Sequence, residues 1–530
     1  METTPVVIIG AGPTGLMLGL ELALFKIPFR LLTEQVKQKP AFESRAITIH
    51  PRTFELLARH GLAGRFLATG CPLNNIKTYI GGRCLLSKSD YPGSMMGDTA
   101  YQLTFSINQA LTEKFLEERL MEYGVQVEKG MAVEKVVMDK DNKSGSVWVR
   151  NLNSTGDGNG EKGEVEVINA RYIVGCDGAH STVRKSAGIK FDGITYNEEF
   201  ILADVNVEWN YEKVPHFFVD KGYIALFPMD KDKNIYRIVC RRPASSNPSS
   251  APTNAKKSYD SSPSKSYFPR FKYQQPTLSD FTRAIASFVP GNVKIHSPTW
   301  FSAFRVSRRI ASTFRLGPII LAGDAAHVNS PVGGQGMNTG MQDSVNLGWK
   351  LARVLHHNAP ESLLDSYEIE RRKIAQAVID RADSQYLRLA TTNPFKIWLR
   401  NILMCWVYPL FTSAKTADKN IRRGSQLGIR YRHSPIVGTA SSWKGNLRGG
   451  DRVPDGLLVN STGNKVTLHE VFKDPCDHLL LFGDKDNLDL FIAKNIMKLI
   501  ESYSSGLMVV KIYNHKLIDE ERTDVYADAE

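Results

Sequence analysis

The stretch Pro5–Glu34, "PVVIIGAGPTGLMLGLELALFKIPFRLLTE", decides the fold. Val6–Ile9 is an unbroken apolar run, the pattern of a strand buried on both faces of a parallel sheet. Gly10, Gly12 and Gly15 follow as GxGxxG, with Pro13 and Thr14 inside the loop. The first glycine permits the tight turn, the second lets backbone approach a pyrophosphate, and the third lets the helix pack on the strand. A helix running to about Leu24 presents its free N–H groups and positive dipole end to those phosphates. The second strand, Phe29–Thr33, ends at Glu34, where an acid can accept a hydrogen bond from a ribose hydroxyl. The spacing predicts a Rossmann-like dinucleotide site in an α/β fold. It does not separate NAD from FAD.

A second glycine loop lies at Leu321–Asp343, "LAGDAAHVNSPVGGQGMNTGMQD". It reads as the end of a buried strand, a run of small residues with one acid, Asp324, and the start of a helix. A helix beginning near Gly336 aims its positive end at whatever lies above the loop, which suits a ligand bearing negative charge. Glycines at 333, 334 and 336 would let the backbone approach that ligand closely.

Between the loops the pattern changes. From about 190 to 300, "EEFILADVNVEW", "GYIALFPM" and "NIYRIVC" alternate as antiparallel strands do and are expected to wall a pocket. Tyr223, Tyr236 and Arg237 lie on this sheet, His216 just precedes it, and these are the candidates for acting on substrate. The Ser/Pro-rich run 244–266 reads as a disordered surface insertion, and 153–164 as a polar hairpin tip. Beyond about Gly450, "HLLLFG", the helical "NLDLFIAKNIMKLIESY" and "LMVVKIY" predict a small α/β domain.

The bulk properties exclude several classes. Six cysteines are scattered with no CxxC, which argues against a disulfide scaffold, a zinc site or a thiol redox pair. The net charge of +12 suits anionic ligands or an anionic membrane surface, but no zinc-finger or RNA-binding motif is present, so no nucleic-acid partner is expected. No signal peptide is evident, and a cytoplasmic location is the expectation. The apolar stretch Phe395–Phe411 is interrupted by Lys396, Arg400 and Pro409 and is too short to span a bilayer. It is expected to pack on its own protein, with contact to a membrane surface as the alternative.

Taken together, these motifs resemble the single-component flavoprotein aromatic hydroxylases related to p-hydroxybenzoate hydroxylase and phenol hydroxylase. The resemblance covers about residues 4–390 and rests on three ordered motifs: GxGxxG, "VGCDGAHSTVR" with Asp177, Gly178 and Arg184, and the loop carrying Gly323–Asp324. It implies that FAD is held by Gly10, Gly12, Pro13, Thr14, Gly15, Glu34, Arg45, Gln109, Asp177, Gly323, Asp324, Pro331, Gly334, Gly336, Met337 and Asn338. It implies NAD(P)H as a transient cosubstrate, O2 as oxidant and no metal. It also implies residues 1–75, 100–188 and 301–390 as a discontinuous FAD-binding domain, 76–99 and 189–300 as an inserted substrate-binding β-sheet domain, 391–445 as a helical connector and 446–530 as a thioredoxin-like domain without CxxC. A homodimer is compatible with that pattern. The chain ends at "YADAE" without the family's closing Arg-Pro-Asp-Gly strand, so the last domain is expected to be trimmed or to end on a replaced strand.

The activity implied is hydroxylation of a small aromatic substrate through a flavin C4a-hydroperoxide. The phenol hydroxylase branch has an aspartate soon after the arginine matching Arg45; here Ile47 and Thr48 stand instead. A larger, more acidic polyphenol, such as a polyketide or other secondary-metabolite intermediate, needs less activation and is the preferred substrate class. Epoxidation or Baeyer–Villiger insertion on the same fold is the near alternative, and a non-oxygenating flavin reductase the more distant one.

Overall fold

The computed structural model describes residues 3–36, 46–87, 97–153, 164–243, 275–407, 414–460, 462–483, 507–516 and 523–529. The predicted insertion 244–266, most of the hairpin tip 153–164 and all of the helix expected at 487–503 lie outside them.

Strand β1 (Thr4–Ile9) is flanked in parallel by β2 (Phe29–Thr33) and by β3 (Val165–Gly175). The strand Ile319–Leu321 pairs in parallel with the far side of β3. Val6, Val7, Ile8, Leu31, Leu32, Ile173 and Val174 are fully buried, as a strand covered on both faces requires. Helix α1 (Pro13–Leu24) joins β1 to β2 and is apolar nearly all round because it is covered on every side. Its one acid, Glu21, is buried and accepts from His60 Nε2 at 2.8 Å and Arg59 at 3.0 Å. Helix α2 (Gln109–Glu122) packs beside α1, and the short helix α3 (Thr182–Ser186) follows β3.

A second sheet contains β4 (Phe191–Glu208), β5 (His216–Asp220), β6 (Gly222–Pro228), β7 (Ile235–Arg241) and β8 (Lys294–Ala311), in the order β8-β4-β7-β6-β5. These pairs are antiparallel, and Lys77–Ile80 adds a parallel edge to β5. One face carries Ile201, Ala203, Val205, Phe218, Ile224, Leu226, Ile238 and Cys240, packed with helix α4 (Leu278–Phe288). The other face looks back towards the first sheet. Successive side chains on a strand point to opposite faces, so each strand contributes half its residues to each side.

Three helices close the body: α5 (Gly336–His356), α6 (Ser362–Ala390) and α7 (Pro394–Ile402). α5 lies along α1 so closely that a Cβ on Gly348 would fall 2.5 Å from Glu21 Cβ. α7 packs on its own protein through one face, and residues 408–411 of the apolar stretch lie outside the described residues. Ile397 and Arg400 are buried, whereas Phe395, Trp398, Leu403 and Trp406 remain exposed. Among the described residues no helix is long and apolar enough to cross a membrane.

The C-terminal segment forms a five-stranded mixed sheet with a small core of Leu458, Leu468, Val510 and Ile512. Its last strand, Thr523–Ala529, pairs in parallel with Leu457–Asn460 and antiparallel with Leu507–Lys516.

Candidate active site

The carboxyl ends of the parallel strands and the inner face of the antiparallel sheet enclose one cavity of about 2890 Å3. At its floor, the N-terminus of α1 is built as the glycine spacing predicts. Gly10 has φ +105°, and a Cβ there would lie 2.4 Å from Cys176 O; a Cβ on Gly15 would lie 1.9 Å from Gly10 O. Both glycines are steric necessities of the turn, and neither lines the cavity. At Gly12, by contrast, an added Cβ would meet nothing within 4 Å, and Gly12, Pro13 and Thr14 all border the cavity. No side chain caps the helix, so its first-turn N–H groups are unspent. Glu34 is exposed just beyond β2 and is not part of the wall, and Arg45 lies outside the described residues. Gln109 lines the wall, its Oε1 accepting from Ala46 N at 3.4 Å.

Asp177 caps α3: its Oδ2 accepts from Thr182 N at 2.7 Å and Val183 N at 3.1 Å. Its Oδ1 is buried without a partner, and burial raises the carboxyl above its ordinary value. Arg184, buried in the same motif, donates to Ala325 O and Ala179 O at 2.9 Å each, stapling this loop to the Gly323–Asp324 loop. Burial brings its guanidinium down to about 10.

The second glycine loop divides its glycines between chain and cavity. A Cβ on Gly323 would fall 2.5 Å from Thr14 Oγ1, one on Gly340 2.4 Å from the same atom, and one on Gly334 2.5 Å from Thr48 Oγ1. These three are glycine because protein packs against them. Asp324, Pro331, Gly333, Gly334, Gly336 and Met337 border the cavity. The α5 N-terminus has no side-chain cap, and Gln335 Oε1, in the cavity wall, is buried without a partner. Asn338 is the correction here. It is fully buried and spent within the protein: Oδ1 accepts from His50 N (2.9 Å) and Thr53 Oγ1 (2.7 Å), and Nδ2 donates to Thr48 O (2.7 Å) and Gly334 O (2.9 Å). Its side chain positions the loop and has no capacity left for a ligand.

Below the loop is an unpredicted support. Asp343 Oδ2 accepts from Gly323 N at 3.1 Å and His327 Nε2 at 2.7 Å, while Oδ1 accepts from Arg371 Nε at 2.6 Å. Burial would raise this carboxyl, but the Arg371 and His327 charges outweigh it and leave it below its ordinary value. Also unforeseen is His50, whose Nε2 is 3.1 Å from Gly333 O and Nδ1 3.3 Å from Thr104 Oγ1, within the wall.

Across the cavity, the sheet presents Leu202, Phe217, Val219, Tyr223, Ala225, Phe227, Arg237, Val239, Trp300 and Phe304. Tyr223 and Arg237 therefore face the site. Tyr236 and His216 do not: Tyr236 packs edge-on to Trp209 behind the sheet, and His216 stacks with Tyr79 and is hydrogen bonded to Glu212 O. As neighbours on β7, Tyr236 and Arg237 cannot share a face. Arg237 is fully buried and held by a two-pronged pair with Asp204, at 2.6 and 2.7 Å, which Trp300 Nε1 joins at 3.2 Å. Burial raises the Tyr223 phenol, so it keeps its proton. Among the described residues the cavity wall carries eight Arg or Lys side chains against one acid, Asp324.

Two helix N-termini with unspent N–H groups and a cationic wall offer donors to phosphates, the open face at Gly12 offers room, and the orphaned Gln335 oxygen offers an acceptor; together they fit a dinucleotide whose ring reaches the sheet. Fold and site thus define a dinucleotide-binding protein whose cavity extends from the glycine loops to the inner face of the antiparallel sheet. Residues 3–382 match the family model described as FAD binding domain, and the chain belongs to that family. It is 32% identical to rifampicin monooxygenase of Streptomyces venezuelae, over 73% of this chain and 72% of that protein. It is also 32% identical to 12-dehydrotetracycline 5-monooxygenase/anhydrotetracycline 6-monooxygenase of Streptomyces rimosus, over 93% and 90%. The solved anhydrotetracycline hydroxylase from Streptomyces rimosus superposes with a TM-score of 0.69 at 28% identity, covering 98% of this chain and 91% of that one. The protein is an FAD-dependent aromatic monooxygenase with NAD(P)H as electron donor.

Proposed function

We propose that the chain hydroxylates a phenolic ring of a fused polycyclic substrate, the class to which polyketide-derived aromatics belong. The observation that carries this is the cavity of about 2890 Å3. A drug-sized ligand takes roughly 300–1,000 Å3, so a chamber of this size leaves room for a multi-ring compound beside a dinucleotide. The tetracycline-type relatives, named for multi-ring substrates, support the same class.

The chemistry that bound FAD supplies is two-electron reduction by NAD(P)H and activation of O2. Gly12, Pro13, Thr14, Asp324, Gly336 and Met337 would hold it, from the α1 terminus to the α5 terminus. The remaining tasks fall to the wall. Phe217, Phe227, Val239 and Phe304 exclude water and stack a planar ring against the glycine loop. Arg237, fixed in direction by Asp204, holds a phenolate oxygen and so favours the more nucleophilic form of the ring. Tyr223, which retains its proton, donates a hydrogen bond and is not the base. The same reading assigns residues 446–530 a thioredoxin-like fold, supported by the five-stranded mixed sheet.

The test is a coupled assay of the FAD-loaded enzyme on polycyclic phenols of graded acidity, comparing wild type with Asp204→Asn/Arg237→Met, which removes both charges together. Loss of a charge-assisted hydrogen bond of about 2 kcal/mol lowers kcat/KM roughly 30-fold. An unchanged kcat/KM across the series would remove Arg237 from substrate binding.

A further inference from the structure

The segment after α6 carries three aromatic side chains, Phe395, Trp398 and Trp406, that neither the core nor the cavity wall uses. From 384 to 417 the sequence contains Arg388, Lys396, Arg400 and Lys415 and no Asp or Glu. Within it, α7 buries Ile397 and Arg400, the latter donating to Asp220 O at 2.9 Å. The outer face of α7 and of the π-helical turn Leu403–Val407 that follows it is aromatic. Phe395 is 66% exposed, Trp398 57% and Trp406 61%, with Leu403 at 46%. The Phe395 and Trp398 rings stack with centroids 5.9 Å apart, so these two form one ridge, and Leu399, Leu403 and Trp406 continue it at helical spacing. Exposed Arg388 and Lys396 flank it, and the Arg83 guanidinium sits 5.2 Å over the Trp406 ring. Leu399 and Leu403 belong both to the exposed face and to the cavity wall, so the ridge runs into the cavity mouth.

We propose that this ridge docks the enzyme on an anionic membrane surface, with the mouth of the substrate cavity opening against the lipid. Exposed Trp and Phe rings on a short helix, with basic residues beside them, are what an interfacial helix needs: rings for the headgroup boundary, cations for the anionic lipids. The helix lies on the bilayer and does not cross it. Nine residues rise about 14 Å, half the hydrocarbon thickness. Charge decides against a second copy as the occupant. A two-fold contact would set two acid-free, basic ridges of a +12 chain against each other, whereas an anionic surface complements them. The docking claim stands apart from the substrate assignment; only its consequence, that an apolar substrate can pass from lipid to cavity, rests on it.

The test is flotation of the full-length FAD-loaded enzyme with phosphatidylcholine vesicles, with and without roughly a third phosphatidylglycerol. Wild type is compared with Phe395→Ser/Trp398→Ser, two side chains that do not line the cavity. Wild type should float with the anionic vesicles and stay behind with the zwitterionic ones. The double variant should partition at least tenfold more weakly while keeping its flavin content, thermal transition and turnover of a water-soluble phenol. Absence of wild-type binding to anionic vesicles, or equal binding by the variant, overturns the proposal. So does a vesicle-free dimer in sedimentation velocity that the variant dissolves, since the occupant is then a second copy.

Discussion

Replacing Asn338 with alanine separates a residue that touches the cofactor from one that builds its seat. The side chain is fully buried and makes four hydrogen bonds of 2.7–2.9 Å to His50 N, Thr53 Oγ1, Thr48 O and Gly334 O. Truncation strands two donors and two acceptors in a site where a buried unsatisfied group costs about 1–3 kcal/mol. Some of that is recovered by a water in the space left by the amide, so about 3–4 kcal/mol is expected overall. Asn338→Asp keeps the two acceptor contacts and loses the two donors, setting a carboxylate against two carbonyl oxygens. It should therefore be nearly as damaging despite its shape. The assay is chemical unfolding of the apoprotein alongside FAD titration by flavin fluorescence. Both variants should destabilise the apoprotein and weaken FAD together, because the Gly334 loop loses its anchor. An apoprotein of wild-type stability with FAD affinity lost would refute the reasoning and make Asn338 a direct ligand.

Three further outcomes follow from the same geometry. Tyr236→Phe should leave kcat/KM for any phenolic substrate within twofold, since the ring is behind the sheet, whereas Tyr223→Phe should lower it; equal effects would contradict the assignment of faces. Gly340→Ala gains helix propensity of about 1 kcal/mol but drives a Cβ to within 2.4 Å of Thr14 Oγ1. Overpacking of about 1–3 kcal/mol should prevail, lowering the apoprotein's thermal transition, and Thr14→Ala in the same chain should restore part of it. The Asp343 carboxyl is lower in the folded state than in the unfolded chain, so its contribution is complete above about pH 4 and lost as pH falls through the folded value. Acid unfolding followed by circular dichroism should show a shallower acid limb in Asp343→Asn, on a protein already less stable because Arg371 is left buried and unpaired.

The parts of the fold legible in the sequence are those set by local rules. GxGxxG is a local spacing, and Gly15 is used as that spacing demands, since a Cβ there would meet Gly10 O at 1.9 Å; the matching clearance at Gly10 is set by Cys176 O, which arrives from the end of β3. Period-two alternation marks β6 and β7 without knowledge of their neighbours. The same alternation, applied one step further, already says that Tyr236 and Arg237 point opposite ways. What stays hidden depends on register and long-range packing. Asp204 meets Arg237 only because β4 pairs with β7 in that register. Whether a glycine serves a ligand or a neighbour is decided by what arrives from elsewhere: Thr48 reaches Gly334, and Thr14 reaches both Gly323 and Gly340. Likewise the apolar stretch at 395–411 carries no sign in its composition of which face finds a partner, and α7 buries only part of it.

The most direct test of the central claim is turnover under 18O2, using the polycyclic phenol that most perturbs the flavin spectrum of the FAD-loaded enzyme. A monooxygenase gives a product heavier by a single oxygen atom drawn from O2, with NAD(P)H, O2 and product in equal amounts. Quantitative conversion of NAD(P)H and O2 to hydrogen peroxide, with the bound phenol returned unchanged, would contradict that claim.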